Sequence, residues 1–589
     1  MRRGSTPNTP SYISVHIVYK CPFQRNIVYN ESLVYDFFLQ NSRNSELEDE
    51  LLCQTALFDD LVLIFTDRCL TMLENSSREQ VRHDVDAMEE SLNEEELAAD
   101  AAITETFHKL VSRLSMKNFN VILEKLKRYA QTHILEPAVA GSIFASMVKG
   151  VAAVQPEQTL DFFIPHLCSR IESILGDRSS KSENRKVDTV LQFNLQMLSE
   201  VISVKMLSIL TSRPTQVLFK HMDKLCSVLD KTLILDLKDE YEVAANALEN
   251  LLFNIVHTRP LQNYYTSKEN FVWSKEEFQW AKPCKLENLK VEWYVPGKIE
   301  LEMVQNLFEK YFKSQLELLD QWVEGKVDLE KEEVIRSLRQ ISKLIHGSSE
   351  LMPTIKTGPF QSSISGNLKS LEAMELTFKN GQPIRQSVLE CMQRIQKHLL
   401  TKSPDDTDSL NGVVAIYDVL LFSFGLDEDE LNDHMDEHRS VKIHRMNKLV
   451  GNKQHLWSIH IDRICIQHET HIWLKNFLVS ETLPVQIIKD VYQLSTSQYS
   501  EVRSSAQELL FKIVNRVVPE SQDMMIPLIA ESLKPGASHQ EFKGAYIILF
   551  KIRVGIFHCL VQIEFVIKHG AMVILRFKIL PPHKLDYWC

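Results

Sequence analysis

Glycine and proline are scarce in this chain, with 17 and 20 among 589 residues. Chains built from many short strands need these two residue types at their frequent tight turns. Apolar and polar residues seldom alternate with the period of two that a half-buried strand requires. Leu, Glu, Lys and Gln, which favour helices, dominate many stretches instead. The composition therefore predicts an all-α fold.

Paired cysteines are also missing. The ten cysteines are scattered, and no two of them form a C-x-x-C pair. Such spacing argues against a disulfide framework and against the common cysteine zinc motifs. Several of them, such as Cys168 and Cys391, fall within apolar helical patterns. We expect buried, reduced thiols in a cytosolic or nuclear protein.

No long uninterrupted hydrophobic run is present. The most apolar region, 547–580, is interrupted by Lys551, Arg553 and Glu564, among other charges. A membrane-spanning helix needs about 20 consecutive apolar residues. A signal peptide needs an apolar core after its basic start, and no such core comes after Arg2 and Arg3. The sequence predicts a soluble protein.

Nucleotide-binding and hydrolase motifs are absent as well. The sequence contains no G-x-x-x-x-G-K-[ST], no G-x-G-x-x-G and no G-x-S-x-G. It offers no convergent set of catalytic groups, so we predict that the chain is not an enzyme. The formal net charge of -12 argues against non-specific coating of nucleic acid.

The most informative pattern that is present is a helical hairpin near residue 500. An apolar stripe at Val485, Ile487, Ile488, Val491 and Leu494 precedes a polar turn at 495–500. A second stripe then occupies positions 502, 506, 509, 510 and 513, on one face of a helix. Such a pair cannot bury its apolar face alone, which predicts a stacked array of HEAT-type repeats.

The organisation along the chain follows from this pattern. We predict an irregular segment at 1–50, HEAT-like helical repeats at 51–256, an aromatic- and proline-rich insertion loop at 257–298, further HEAT-like repeats at 299–550, and a divergent apolar tail at 551–589. Polar linkers are expected at 176–185, 347–366 and 402–410. Aromatic residues in a loop can stack on nucleic acid, but few basic residues accompany these, which favours an insertion packed on the solenoid.

Two finer expectations concern individual helices. The first repeat helix, at 51–75, should present Leu51, Leu52, Leu57, Leu61 and Ile64 as its apolar face. An internal echo relates 156–167 to 519–529: each begins with Pro-Glu and carries a second proline within an apolar helix.

Several segments, in this order, resemble the proteasome activator complex subunit 4 family, a family of large HEAT-repeat caps. They are His133–Gly141, Phe163–Cys168, Leu191–Glu200, Glu292–Pro296, the 325–353 region and the 443–550 region. The resemblance covers about 51–549, and this chain is similar to the middle part of the family's chain only.

The resemblance implies an α-solenoid that caps the proteasome core particle at its α-ring and opens the gate without ATP. It implies degradation of peptides and of proteins including acetylated histones, a link to DNA repair, and a location in the nucleus and cytoplasm. Recognition of acetylated histones would lie in regions outside this chain. Membrane and direct nucleic-acid partners are not expected. The rival interpretation is a generic HEAT adaptor or karyopherin-like carrier that binds basic cargo.

A basic run from Arg439 to Arg463 offers a candidate ligand site. It is either a solvated helix face beside the acidic patch at 427–436 or an anion pocket, because converging cations suit polyphosphate. The family binds inositol polyphosphates, so the resemblance implies this ligand. The candidate residues are Arg445, Lys448, Lys453 and His455, and no other cofactor is expected.

Two further expectations complete the sequence interpretation. His468 and His471 share a helix face but lack the further ligands that zinc requires, so no metal site is predicted. Family members end in a penultimate tyrosine that docks on the proteasome, whereas the sequence here ends Tyr587-Trp588-Cys589. We expect the tail after about 550 to be foreign to the family, and gate opening to be lost without the docking residues.

Overall fold

The structure is a computed structural model. It describes 56–79, single positions between 103 and 114, and 116–135, 140–178, 189–203, 214–260, 293–351, 377–422, single positions 432, 435, 436, 439 and 466, and then 483–516, 519–534, 536–556, 561–568 and 572–579.

Helices account for nearly all of the described residues. In chain order they are α1 (Ala56–Glu79), α2 (Met116–Thr132), α3 (Ser142–Val154), α4 (Pro156–Arg178), α5 (Thr189–Ile202), α6 (Pro214–Lys220), α7 (Met222–Thr232), α8 (Lys238–Val256), α9 (Lys298–Leu307), α10 (Ser314–Val323), α11 (Lys331–Gly347), α12 (Ile384–Lys402), α13 (Thr407–Phe422), α14 (Leu483–Ser495), α15 (Ser500–Arg516), α16 (Pro519–Ser532) and α17 (His539–Ile556). A π-helical turn, Phe308–Lys313, separates α9 from α10, and a 3-10 turn, Ser349–Leu351, follows α11.

The predicted hairpin near residue 500 is confirmed. Helix α14 buries Ile487, Ile488, Val491 and Leu494 completely, and α15 buries all five predicted positions of its stripe. The two helices pack against each other across the turn at 496–499. The helical period of 3.6 residues predicted these buried positions correctly, because each helix buries its apolar stripe against neighbouring helices.

The described residues divide into two compact units. The first takes in those up to Lys310 together with His346–Glu350, and also those within Gly425–Thr470. The second takes in Tyr311–Ile345, Leu351–Phe424 and those from His471 onward. Each unit consists of two rows of stacked helices.

In the first unit, α1, α2, α4 and α7 form one row, and α3, α5 and α8 form the other. The contacts between α1 and α2 show the direction of packing. Lys125 Nζ lies 2.6 Å from Asp67 Oδ1, and about two turns further along both helices His133 Nε2 lies 3.6 Å from Glu74 Oε1. Because both positions advance together, the neighbouring helices of this row run parallel.

In the second unit, α10, α12, α14 and α16 form one row, and α11, α13, α15 and α17 form the other. Helices α10 and α11 illustrate how a hairpin joins the rows. Ser337 donates to Gln315 at 2.8 Å, and Gln340 donates to the Tyr311 carbonyl at 2.8 Å. The residue number increases along α11 from 337 to 340 while that of its partner decreases from 315 to 311, so the two helices are antiparallel, as in a HEAT hairpin.

The turn between α10 and α11 depends on Gly325. Its φ of 75° lies in the left-handed region that glycine adopts at helix C-termini. The Lys326 amide donates to the Gln321 carbonyl and the Gly325 amide to the Trp322 carbonyl. These two bonds satisfy carbonyls that the end of α10 would otherwise leave unpaired.

The expected linker at 402–410 is too long. Helix α13 begins at Thr407, so only Ser403 to Asp406 connects it to α12. The Asp406 side chain accepts a bond from the Ser409 amide at 3.2 Å, which caps the first turn of α13. The polar residues after position 406 therefore start a helix and do not extend the linker.

The predicted apolar face of the first helix is wrong at one position. Ile64 is 49% exposed, and α1 instead buries Val62, Cys69 and Leu73. The sequence offers apolar residues almost all around this helix, so periodicity could not choose among them. Of the other predicted positions, Leu61 is half-buried, and Leu51, Leu52 and the side chain of Leu57 lie outside the described residues.

The internal echo is confirmed in its positions. Helix α4 begins at Pro156 and contains Pro165, and α16 begins at Pro519 and contains Pro527. Proline is tolerated at a helix start because the first amides have no intrahelical acceptor. The two helices occupy corresponding places at the start of a hairpin.

Two short antiparallel strand pairs depart from the helical pattern. The first, β1 (Arg259–Pro260) with β2 (Trp293–Tyr294), joins the two ends of the predicted insertion loop, whose interior lies outside the described residues. The Tyr294 hydroxyl is buried and donates to the Ile255 carbonyl at 3.1 Å. The second pair, β3 (Val561–Lys568) with β4 (Met572–Ile579), falls in the predicted divergent tail.

Two other sequence expectations concern thiols and membranes. Cys69, Cys168 and Cys391 are free and buried, as predicted, whereas Cys226 is only half-buried. Burial raises the pKa of the Cys69 thiol to about 12. Within the described residues, none of the helices combines the length and apolar character that crossing a bilayer requires.

Candidate interaction surfaces

The predicted anion patch lies outside the described residues. Arg445, Lys448, Lys453 and His455 all fall within 440–465, where no position is described. Of the basic run only Arg439 is described, and its guanidinium donates to Asp436 at 2.8 Å. Arg439 thus pairs with the acidic patch that precedes it. The polyphosphate site stays a prediction.

The predicted absence of a metal centre also stays a prediction, because the histidines from His444 to His471 lie outside the described residues. Among the residues that the structure does describe, no three His, Cys, Asp or Glu side chains converge on one point.

Ion pairs link neighbouring helices along the first row of the first unit. Asp161 in α4 accepts bonds from His221 at 2.8 Å and Lys220 at 3.2 Å. Lys220 and His221 lie at the end of α6 and just before α7. Eleven residues further along α4, Glu172 accepts bonds from two residues of α7, Lys231 at 2.9 Å and Ser227 at 2.8 Å. Hydrogen bonds from Lys231 and Ser227 lower the pKa of Glu172. These contacts fix the axial register of α7 against α4.

The second row of the first unit is held by an asparagine stripe. Asn246, Asn250 and Asn254 are spaced four residues apart, on one face of α8. Asn250 donates to the Ser199 hydroxyl at 3.2 Å, and the buried Asn254 donates to the Ile202 carbonyl at the end of α5. The Asn254 carboxamide therefore reaches a carbonyl in the last turn of α5, where helix carbonyls have no intrahelical donor.

In the second unit, a polar network joins α12, α13 and α14. The buried Tyr417 hydroxyl donates to Gln396 at 3.0 Å, and Gln396 in turn donates to Gln493 at 3.1 Å. Gln393 donates to the Asp490 carboxylate at 2.6 Å. Desolvation by burial raises the pKa of Asp490 in spite of this bond. The network gives three helices one fixed arrangement.

Arg385, in the first turn of α12, is a buried cation. One guanidinium nitrogen donates to the Leu420 carbonyl in the last turn of α13. Its Nε and Nη2 atoms have no acceptor among the described residues, and burial lowers the pKa of Arg385 to about 10. The residue therefore acts as a C-terminal cap for α13, where a positive charge suits the helix dipole.

Large apolar side chains are exposed at a few places on the described surface. Ile134 and Ile234 follow the C-terminal ends of α2 and α7, and Ile299 opens α9. Phe542 and Tyr546 are exposed one turn apart on α17. Single exposed apolar residues are normal, whereas a pair on one helix face is the beginning of a patch.

The sequence did not single out most of these residues. It identified the apolar stripes, but it gave no role to Asn254, Gln396 or Arg385. The spacing of the three asparagines in α8 is a visible signal, since polar residues four apart share a helix face. Nothing in the sequence marks Arg385, because only tertiary packing buries it.

Taken together, parallel rows of helices, antiparallel hairpins and polar links between neighbours define the described part as an α-solenoid of the HEAT class. A solenoid is a scaffold that offers long surfaces for macromolecules.

The chain belongs to the family described as "Proteasome activator complex subunit 4, mid HEAT repeats region", which it matches over residues 34–352, more than half of its length.

Individual relatives agree with this family. The chain is 28% identical over 541 residues to "Proteasome activator complex subunit 4B" of Danio rerio, which covers 88% of this chain and 28% of that protein. It is 29% identical over 541 residues to "Proteasome activator complex subunit 4" of Homo sapiens, with the same coverage. It is 27% identical over 522 residues to "Proteasome activator complex subunit 4" of Xenopus laevis, which covers 85% of this chain and 27% of that protein. The chain thus spans about 28% of the length of these relatives.

Proposed function

We propose that this chain is a wall segment of an ATP-independent proteasome activator, which binds the α-ring of the proteasome core particle and opens its gate. The observation that carries the proposal is membership of a family whose relatives are named as proteasome activators. The two-row packing of both units supports a scaffold role, and we propose no catalytic activity for the chain itself.

Gate opening of this kind needs no chemical step. A cap shifts a closed–open equilibrium by as much as its contacts differ between the two states of the gate. A stiff wall transmits such a bias better than a loose one. The cross-helix bonds of Asp161, Glu172, Asn254 and Gln396 hold neighbouring helices in register and supply that stiffness.

The wider role follows from the same family. We propose that the assembly degrades peptides and proteins, including acetylated histones, acts in DNA repair, and works in the nucleus and cytoplasm. Contact with acetylated histones is assigned to regions outside this chain. Neither a membrane nor nucleic acid is a direct partner in this proposal.

Inositol polyphosphate is proposed as a ligand of the basic residues Arg445, Lys448, Lys453 and His455. Converging cations share the negative charge of a polyphosphate, which strengthens each charge-assisted bond. Titration calorimetry with inositol hexakisphosphate tests this proposal. The double variant Lys448→Glu with Lys453→Glu should lose binding, while Lys298→Glu, in an exposed part of α9, should leave it unchanged. Equal binding by the unaltered chain, the double variant and Lys298→Glu would contradict the proposed site.

The main test is sedimentation of the purified full chain with latent core particle, with peptide hydrolysis measured in each fraction after ATP is removed by apyrase. Co-migration with raised hydrolysis supports both docking and gate opening, and it contradicts the expectation that gate opening is lost without the family's docking residues. Co-migration without raised hydrolysis supports docking and removes gate opening from this chain. If the chain stays at the top of the gradient, it does not dock, and binding to a small GTPase would then favour the carrier alternative.

A further inference from the structure

Arg385 is a buried cation with one edge of its guanidinium unpaired. The residue is 5% exposed, and its Nη1 donates to the Leu420 carbonyl. Nε and Nη2 have no acceptor among the described residues. Burial lowers the pKa of Arg385 only to about 10, so the guanidinium keeps its charge at neutral pH. A buried charge needs a counter-charge, because it has lost its hydration without a replacement.

The two unpaired nitrogens share one edge of the planar guanidinium. Their N–H groups point the same way, and their spacing matches the two oxygens of a carboxylate. The same helix shows this edge in use at Arg394. There Nε lies 3.0 Å from Asp320 Oδ1, and Nη2 lies 2.8 Å from each carboxylate oxygen of Asp320. Arg385 thus presents the donor pair that Arg394 uses, but no acid occupies it.

The start of α12 adds to this positive region. A helix N-terminus carries partial positive charge and has amides without an intrahelical acceptor. Pro383, at the N-cap position of α12, provides no side-chain cap for these amides. Helical side chains tilt toward the N-terminus of their helix, so the Arg385 guanidinium lies toward this uncapped end. Its bond to the Leu420 carbonyl, in the last turn of α13, holds Nη1 and leaves the other edge for a ligand.

We propose that the unpaired edge of Arg385 and the first turn of α12 form a binding site for a carboxylate. The two oxygens of the ligand accept hydrogen bonds from Nε and Nη2, and its charge offsets that of the buried cation. The site lies just below the surface, since Gln382 and Pro383 are exposed whereas Arg385 is buried.

The ligand has to be slim, because the unpaired atoms are covered and binding requires the groups over them to move outward. A carboxylate on a short stem meets this condition, either as a small ion such as acetate or as an acidic side chain of a peptide. The site is separate from the polyphosphate patch proposed at 445–455, and it does not depend on the proposed proteasome function.

Hydrogen exchange of the full chain, measured by mass spectrometry, tests the proposal with sodium acetate as the probe. A ligand that binds only the closed state slows exchange by a factor of one plus its concentration divided by its dissociation constant. Sodium chloride at the same ionic strength is the reference. We expect about 200 mM acetate to slow exchange at the start of α12 and the end of α13 at least threefold.

Three variants separate the free edge from other effects of acetate. Arg385→Met should abolish the slowing. Arg385→Lys keeps the charge but not the paired donors, so at least half of the slowing should be lost. Arg394→Met removes an arginine of the same helix that is already paired with Asp320, and it should retain the slowing. Circular dichroism is the folding control for each variant.

Equal exchange in acetate and chloride, or slowing by acetate that persists in Arg385→Met, would overturn the proposal. Inorganic phosphate tests the ligand class: slowing that depends on Arg385 in phosphate but not in acetate would also overturn it. The peptide acetyl-Ala-Glu-Ala-amide, with its glutamine analogue as control, distinguishes the two sources of a carboxylate. Slowing by this peptide as well as by acetate supports an acidic peptide as the ligand, and slowing by acetate alone supports a small carboxylate ion.

Discussion

Gly347, at the C-terminal end of α11, lies against the backbone of Glu249 in α8. A Cβ added to Gly347 would stand 2.5 Å from the Glu249 carbonyl oxygen and 3.0 Å from its Cα. The preceding residue, His346, makes a hydrogen bond with the Glu249 carboxylate. The backbones therefore approach too closely for any side chain at position 347, and glycine is required there by contact and not by its backbone angles.

Gly347→Ala should accordingly destabilise the first unit. The obstacle is a backbone atom, which cannot swing aside as a flexible side chain can, so we expect a loss of about 1–3 kcal/mol. Urea denaturation with hydrogen exchange at α8 and at the end of α11 measures the effect.

The matched control is Gly176→Ala. Gly176 lies inside α4, and an added Cβ would meet nothing within 4 Å. Alanine should stabilise this helix position by a few tenths of a kcal/mol to about 1 kcal/mol. If both glycine substitutions changed stability by the same amount and sign, the close approach at Glu249 would have no energetic weight.

A second prediction concerns the asparagine stripe of α8. Asn254→Ala removes the buried donor to the Ile202 carbonyl and leaves that acceptor unpaired, which costs about 1–3 kcal/mol. Asn250→Ala should cost less, because its bonds to Ser199 are longer, at 3.2 and 3.3 Å, and lie closer to solvent. Thermal melting of the two variants gives the ranking. The reverse ranking would contradict the assignment of the main link to Asn254.

A third prediction is that Arg385 can be replaced without loss. A buried cation with two nitrogens lacking acceptors among the described residues carries a desolvation penalty that an apolar side chain of similar length avoids. We expect Arg385→Met to leave the free energy of unfolding unchanged or to raise it by up to about 2 kcal/mol. The lost bond to the Leu420 carbonyl offsets part of the gain.

Arg385→Ala separates this effect from side-chain volume. Alanine also removes the cation, but it leaves a cavity beside α13, so this variant should be destabilised by about 2 kcal/mol or more. Urea denaturation of both variants makes the comparison. Strong destabilisation by methionine as well as by alanine would show that the bond to Leu420 outweighs the burial of the charge.

A fourth prediction concerns pH. The pKa of Asp490 is raised by burial, so between the unfolded pKa and this higher value the folded protein holds a proton that the unfolded chain has lost. Stability from this group therefore falls as pH rises through that window. Asp490→Asn should remove the penalty: it stabilises the α12–α14 contact at pH 7 and has no effect below both pKa values. Melting temperatures between pH 3 and pH 8 test this.

Glu172 provides a control of opposite sign. Its pKa is lowered by bonds from Lys231 and Ser227, so its contribution is present above the unfolded pKa and is lost as pH falls through the folded value. Glu172→Gln should therefore destabilise slightly at pH 7 and have no effect in acid, since exposed ion pairs contribute little. The same pH dependence for both variants would contradict the assigned pKa directions.

The sequence predicted the positions of some residues correctly and those of others incorrectly. The stripes of α14 and α15 were placed correctly, because a period of 3.6 and apolar character together fix a buried face. The start of α13 was misplaced, because Asp406 and Ser409 read equally well as linker residues until their capping bond is seen. Ile64 was misplaced because α1 has apolar residues on more than one side.

The sequence by itself determined the helical class, the hairpin repeat and the family, since helix propensity, periodicity and the order of segments are all local properties of the chain. Only the tertiary structure decided which polar residues matter. Asn254 donates to the Ile202 carbonyl and Arg385 to the Leu420 carbonyl, and Gly347 lies against the backbone of Glu249. Each partner is distant along the chain, and burial, which sets the energy of each contact, arises only when the helices stack.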